Sequence, residues 1–217
     1  MAQQCTTLLV CCLLTSNVFS QPGTHRASDE KTSQSRQVIF EELFDDNNRN
    51  WEIIDSKQLS SEISDGYFQL KGKTAYSPAF LSQSIDLDPT GNFSFQSTII
   101  QSSGMKNMGY GICWGAKDDR QDWYAFLISS NGQYTILKKV REDYTEIKRW
   151  TSSDNINGQG KPNTLLVKKN NDRIEYYIND RLVYMSQAEP FRGKKAGILF
   201  HGTMKIEVDN FIAAMEP

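Results

Sequence analysis

The sequence is poor in the residues that build metal centres, disulfide frameworks and strongly charged surfaces. Its 217 residues include two His and four Cys, and Lys+Arg 24 nearly balance Asp+Glu 26. A net charge of -2 gives no general attraction to nucleic acid, whose binding proteins carry a basic face. With 14 Gly and 6 Pro the chain is not collagen-like, and a hydrophobic fraction of 38% argues against wholesale disorder. These shortages exclude several protein classes and leave a globular protein with a polar surface.

The chain also lacks an apolar run long enough to span a bilayer, which takes about 20 residues. Its short apolar run, Leu8–Leu14, lies in residues 1–20, and small residues precede Gln21. This pattern predicts a secretory signal peptide over 1–20 and a mature chain that begins at Gln21 without membrane insertion. A buried core segment is the alternative. We therefore expect a secreted, periplasmic or cell-surface protein.

Removal of residues 1–20 leaves Cys113 as the one cysteine, so the mature chain has no intramolecular disulfide. Cys113 lies in an apolar run, where a free cysteine usually acts as a small buried hydrophobe; a reactive thiol is the alternative. Residues 21–37 are polar and without hydrophobic periodicity, which predicts a flexible tether. Residues 38–217 are expected to form a single domain.

The predicted domain consists of short runs in which apolar and polar residues alternate, separated by turn residues. Clear examples are Asn92–Ile99 and Arg173–Ile178, and Asn131-Gly132 is a hairpin signal between two such runs. Helical periodicity is absent. The pattern predicts an all-β fold, an antiparallel β-sandwich of the jelly-roll type.

Alternation also assigns candidate ligand-binding side chains. Tyr124, Phe126 and Ile128 point to one side of their strand and Trp123 to the other. Trp123 and Tyr177 are expected as exposed rings beside a glycine-lined face, where the C–H side of a sugar ring stacks on aromatic surfaces. His201 is expected as a polar contact to such a ligand. The alternative for Trp123 is burial under a loop.

Several segments together resemble the concanavalin A-like lectin/glucanase superfamily, in its laminin-G-like and DUF1080-like secreted bacterial forms. The resemblance covers residues 40–213 and rests on the order of these segments: Phe44-Asp45-Asp46 with Trp51, Ser64–Leu70, Gly109–Ile112, Tyr124–Ile128, Ile174–Asn179 and Val208–Phe211. It implies a jelly roll with a concave sheet that often holds carbohydrate. It also implies a possible structural calcium ion bound by Asp209, with Asp45 or Glu41.

The superfamily includes glycosidases, but the residues for catalysis are not found. Retaining hydrolysis needs two carboxyl groups about 5–5.5 Å apart, and the acidic strand signature Glu-x-Asp-x-x-Glu of the glucanases is absent. Glu142-Asp143 with Glu146 is predicted to lie in a charged turn, and Asp118-Asp119 with Asp122 in a loop. The segment Leu43–Asn47 departs from the Leu-Phe-Asn-Gly-Lys-like opening of the DUF1080 branch. No catalytic residue is therefore assigned, although a Cys113/His201 pair is conceivable.

The sequence thus favours an exported, non-catalytic, lectin-like carbohydrate-binding domain whose partner is an oligo- or polysaccharide. It requires no cofactor in this interpretation. Two alternatives stay open: a glycan-active hydrolase of the DUF1080 or glucanase type, and a structural protein-interaction domain without a sugar ligand. The oligomeric state is undetermined.

Overall fold

The fold consists of β-strands joined by short turns. The computed structural model describes residues 35–75 and 78–217, so the predicted signal peptide and most of the predicted tether lie outside the described residues. The fourteen strands are β1 (Gln37–Glu42), β2 (Leu59–Ser64), β3 (Tyr67–Gly72), β4 (Pro78–Ser84), β5 (Phe93–Gly104), β6 (Tyr110–Ala116), β7 (Trp123–Ser129), β8 (Gln133–Val140), β9 (Asp143–Ser152), β10 (Pro162–Asn170), β11 (Arg173–Ile178), β12 (Arg181–Gln187), β13 (Lys195–His201) and β14 (Met204–Met215). Within this part of the chain, no helix is long and apolar enough to cross a membrane.

The strands form two antiparallel sheets. The eight-stranded sheet has the order β12-β11-β10-β5-β14-β3-β2, with β1 paired to the far end of β14. The six-stranded sheet has the order β4-β13-β6-β7-β8-β9. Neighbours in both sheets are often distant in sequence, as in a jelly roll. The predicted all-β sandwich is confirmed.

Two-residue hairpins connect several of these strands because their turn residues adopt left-handed backbone angles. Asp65-Gly66 joins β2 to β3 with φ values of 55° and 75°, and Asn179-Asp180 joins β11 to β12 with 49° and 63°. Asn, Asp and Gly tolerate positive φ better than other residues do, which favours the turns that match the twist of a hairpin. These turns fix the registers of two hairpins in the eight-stranded sheet.

The main core lies between the sheets. Alternate side chains of each inner face are buried there, among them Phe126, Tyr176 and Trp114, and the ring centroids of Phe126 and Tyr176 are 5.3 Å apart in an edge-on arrangement. Burying one large apolar side chain contributes about 1.5–3 kcal/mol. Without a disulfide among the described residues, this packing holds the sandwich.

Two details correct the sequence expectations. Strand β1 begins at Gln37, and Arg36 forms an ion pair with Glu216 at 3.2 Å, so the last two residues of the predicted tether are part of the folded structure.

Asp143 and Glu146 lie in strand β9 and not in a turn. The actual turn is Arg141-Glu142, where Arg141 has φ 55°. Strand β9 escaped detection because most of its side chains are polar and exposed.

Candidate functional site

The outer face of the six-stranded sheet carries a second, smaller apolar cluster, here called the outer apolar layer. All side chains of β6 and β7 are buried, on both faces of the sheet. The layer consists of buried residues from four strands: Phe80, Cys113, Ala116, Trp123, Ala125, Leu127 and Leu199. Burial raises the pKa of the Cys113 thiol well above its ordinary value. Cys113 is therefore a packed hydrophobe, as the sequence predicted.

Trp123 belongs to this layer and is not an exposed stacking surface. Only 4% of its surface is exposed, and its ring meets the Tyr144 ring edge-on at a centroid distance of 5.7 Å. The expectation of an exposed Trp123 ring is wrong. The physical reason is that β7 is apolar on both faces, and on the outer face Trp123 packs within the outer apolar layer and against Tyr144.

Tyr177 does not lie beside Trp123. It is in β11 of the eight-stranded sheet, next to the buried Tyr176 and on the opposite face of its strand, whereas Trp123 is in the six-stranded sheet. The Tyr177 hydroxyl donates a hydrogen bond to Glu175 Oε2 at 2.6 Å. This bond, with burial and the negative charge of Glu175, raises the pKa of Tyr177 to about 12. The predicted grouping of the two rings on one surface is therefore wrong.

His201 lines a groove at one end of the outer apolar layer, here called the Trp150 groove. The groove has a volume of about 340 Å³ and is lined by Ala75, Asn107, Met108, Gly109, Leu127, Leu137, Trp150 and His201. Trp150 lies in edge strand β9 and is 38% exposed. A Cβ at Gly109 would be 3.1 Å from Trp150 Cη2, closer than most carbon contacts in proteins. The glycine thus allows the indole to lie close to the sheet.

The polar groups of the Trp150 groove are electrically neutral near pH 7. Burial lowers the pKa of His201 below its usual value, against a smaller opposing effect from the Gly109 backbone. A neutral imidazole has one N–H donor and one nitrogen acceptor, and the Asn107 amide also offers both functions. The groove therefore combines an exposed indole with groups that can bind hydroxyls.

Trp150 was missed by the sequence analysis because its strand does not alternate regularly. The pairing of β9 with β8 shifts register between Tyr134 and Ile136 and again between Ile136 and Leu137. Such bulges change which side chains face outward and break the period-2 pattern. A tryptophan within a run of charged and polar residues was the available signal for an exposed aromatic side chain.

Carboxylates are scarce on the six-stranded sheet. Strands β4, β6, β7, β8 and β13, all within the described residues, contain no Asp or Glu, and the two acidic residues of the sheet, Asp143 and Glu146, lie in β9 at its edge. The neighbouring Asp122 is buried, accepts a hydrogen bond from the Arg141 backbone at 2.8 Å and pairs with Lys117 at 2.6 Å. The described strands of this sheet, apart from β9, therefore contribute no carboxylate to either of its faces.

The metal candidates lie near one end of the β1–β14 ladder. Glu41 and Glu42 pair with Ile212 and Phe211, and Asp209 lies at a register shift in β14. Its Oδ2 accepts a hydrogen bond from the Asn210 amide at 2.9 Å. Asp45 directly follows Phe44, lies outside both strands and is exposed. Calcium takes six to eight oxygen ligands, and the described residues include no group of three acidic, His or Cys side chains that could hold a metal ion. The side chains of Asp209, Asp45 and Glu41 therefore do not form a cluster of three acidic ligands.

A larger groove of about 650 Å³ lies by the eight-stranded sheet, between the loop at Ile53–Asp55 and strands β2, β3 and β14. Its lining includes two lysines from directly paired positions, Lys71 and Lys205, and two carboxylates, Asp55 and Glu62. None of its lining residues is aromatic. The Trp150 groove is therefore the stronger candidate for a ligand with an apolar face, although it is smaller.

Comparisons with known proteins extend this description. No protein-family model and no curated protein sequence matches the chain. Among solved structures, the GH43 protein BlXynB from Bacillus licheniformis aligns with a TM-score of 0.61 at 12% identity, over 81% of this chain and 39% of that one. The β-glucanase from Bacillus licheniformis aligns with a TM-score of 0.59 at 8% identity, over 82% and 98%.

A third similar structure is the CBM2 module of the evolved Dit protein of Lactobacillus casei BL23 phage J-1. It aligns with a TM-score of 0.55 at 10% identity, over 84% of this chain and 97% of that module. Identities this low establish shared architecture and nothing about activity. Together with the two-sheet topology, they show that the chain shares an antiparallel two-sheet β-sandwich fold with these proteins.

Proposed function

We propose that this chain is an exported, non-catalytic carbohydrate-binding domain whose ligand stacks on Trp150. The observation that carries the proposal is the Trp150 groove itself. An indole that is 38% exposed stands beside a neutral imidazole and an amide. The C–H face of a sugar ring packs on the indole, and its hydroxyls bind to His201 and Asn107.

The scarcity of carboxylates supports binding without hydrolysis. A glycosidase needs an acid and a second carboxylate on opposite sides of the bond that it breaks. The acidic residues of the six-stranded sheet lie in edge strand β9 and do not face each other across the sheet. The names of the similar structures, a GH43 protein, a β-glucanase and a CBM2 module, connect this architecture with carbohydrates by analogy. Export rests on residues 1–20 of the sequence alone.

The proposal is tested by screening the full chain on a glycan array and measuring the affinity of each positive glycan by calorimetry. Trp150→Ala is expected to weaken binding at least tenfold, equivalent to about 1.4 kcal/mol. Its midpoint of unfolding should stay close to that of the parent because the ring is partly exposed. Tyr177→Ala, on the opposite sheet, is the matched control and should bind normally. Absence of binding to every glycan contradicts the proposal.

A protein-interaction domain is the second candidate, and one observation favours it. The outer apolar layer fills the middle of the face that a long glycan would otherwise cross. If the glycan array is negative and the chain captures a protein partner that Trp150→Ala releases, this second function replaces the first. Hydrolysis of a bound glycan that stops after Glu146→Gln would instead indicate a glycan-active enzyme.

A further inference from the structure

A second exposed aromatic side chain lies on the same face as Trp150 and in the same strand. Tyr144, near the start of β9, is 57% exposed. Its partner across the ladder is Lys139, and its ring touches Trp123 of the outer apolar layer. Trp150 also lies on this outer face, since it lines the groove with Leu127 and Leu137. Two rings are thus presented along one edge of the sheet.

The distance between these rings follows from the strand that carries them. Tyr144 and Trp150 are six residues apart in β9. The two register shifts shorten this span: Tyr144 pairs with Lys139 and Thr151 with Tyr134, only five residues apart in β8, so at about 3.3 Å per residue the two rings are separated by less than ~17 Å. One sugar ring is much shorter than this separation, so a single sugar cannot contact both side chains.

The surface between the two rings is polar and carries charges of both signs. Glu146 pairs across the ladder with Leu137, and its carboxylate forms an ion pair with Arg149 at 3.5 Å. Both charged side chains are exposed to solvent, at 45% and 88% of their surface. They offer hydrogen-bond acceptors and donors to hydroxyls.

The Tyr144 ring is held in place before any ligand arrives. Trp123 meets it at 5.7 Å with an interplanar angle of 75°, and the Lys139 ammonium lies 5.3 Å from its centroid. Trp123 is itself fixed in the outer apolar layer. A ring that is already oriented loses less conformational freedom on binding. Trp123 therefore positions Tyr144 and does not contact the ligand.

We infer that β9 binds a linear oligosaccharide lengthwise, with one sugar on Trp150, a second on Tyr144 and the intervening sugars over Glu146 and Arg149. This inference rests on the proposed function and adds the ligand class, a chain of several sugars. Affinity should then increase with chain length, because only a long ligand reaches both rings.

The experiment is calorimetry of the full chain with gluco-, xylo-, manno- and N-acetylglucosamine oligosaccharides of one to six units. In the series that binds, we expect the dissociation constant to fall at least tenfold between the disaccharide and the hexasaccharide. Tyr144→Ala should abolish that gain and leave disaccharide affinity unchanged, whereas Trp150→Ala should weaken every length. Tyr177→Ala should preserve both properties, and thermal melts verify that the variants fold.

The outcomes separate the two proposals. Equal affinity for disaccharide and hexasaccharide, or a length dependence that survives Tyr144→Ala, overturns the lengthwise site while carbohydrate binding stands. Absence of binding by every series overturns the proposed function and the lengthwise site with it.

Discussion

The two outer faces of the sandwich differ in how they are stabilised. On the six-stranded sheet, the main core buries the inner face of β6 and β7, and the outer apolar layer buries their outer face. On the eight-stranded sheet, the outer side chains of the central strands are polar and bind one another, as in the 2.9 Å contact between the Thr98 and Thr164 hydroxyls and the Tyr177–Glu175 bond. One face is thus stabilised by apolar burial and the other by hydrogen bonds and ion pairs. The candidate site lies where the apolar layer ends.

The largest expected effect concerns Trp123, because it distinguishes a packed face from an open one. Trp123→Ala removes a ring that is 4% exposed and leaves a cavity in the outer apolar layer. We expect a loss of about 3–5 kcal/mol in the free energy of unfolding. Denaturant titration of the parent and the variant measures it. A stability close to that of the parent would mean that the outer apolar layer contributes little.

A matched pair of leucines sharpens the comparison. Leu127 lies in the outer apolar layer and is fully buried, whereas Leu166 is only partly buried on the outer side of β10 in the eight-stranded sheet. Leu127→Ala is expected to cost about 2–5 kcal/mol. Leu166→Ala should cost about 1 kcal/mol or less, since it removes less buried surface. Chemical denaturation of both variants measures the two changes in the free energy of unfolding. Equal losses of stability would contradict the proposed difference between the two outer faces.

The same contrast explains how far the sequence could predict the structure. Strands that alternate, such as Arg173–Ile178, have one buried face, and their orientation was predicted correctly. Trp123–Ile128 is apolar throughout, a pattern typical of a strand buried on both faces. Alternation assigned Trp123 to a face but did not show whether that face is covered. Only the three-dimensional structure places His201 beside Trp150, since they come from different strands.

Acidification should affect the polar face first. Glu216 directly follows β14. Its carboxylate accepts a hydrogen bond from Ser94 of β5 at 2.6 Å and forms ion pairs with Lys168 of β10 and with Arg36, each at 3.2 Å. Burial alone would raise its pKa, but these partners outweigh burial and lower the pKa below its usual 4.5. The folded state therefore binds fewer protons than the unfolded state. The contacts of the Glu216 carboxylate stabilise the fold fully above its usual pKa of 4.5. This stabilisation is lost as the pH falls through the lowered pKa of the folded state.

Glu216→Gln tests this effect. The variant should be less stable than the parent at pH 7, and the difference should shrink as the pH falls below about 4, when the parent carboxylate also becomes protonated. Thermal melts from pH 7 to pH 3 measure the two curves. Leu127→Ala is the control from the apolar face, and its stability difference should not depend on pH in this way. Parallel curves for Glu216→Gln and the parent would contradict the assignment.

The smallest expected effect is that of calcium, which the superfamily resemblance predicts for the polar face at Asp209 and Asp45. Because the described residues include no group of three acidic, His or Cys side chains that could hold a metal ion, addition of calcium after EDTA treatment is expected to shift the midpoint of unfolding by less than about 2 °C. Asp209→Asn should leave that small response unchanged. A rise of several degrees that Asp209→Asn abolishes would establish a calcium site on the eight-stranded sheet, and the polar face would then be stabilised by a metal as well as by its hydrogen bonds.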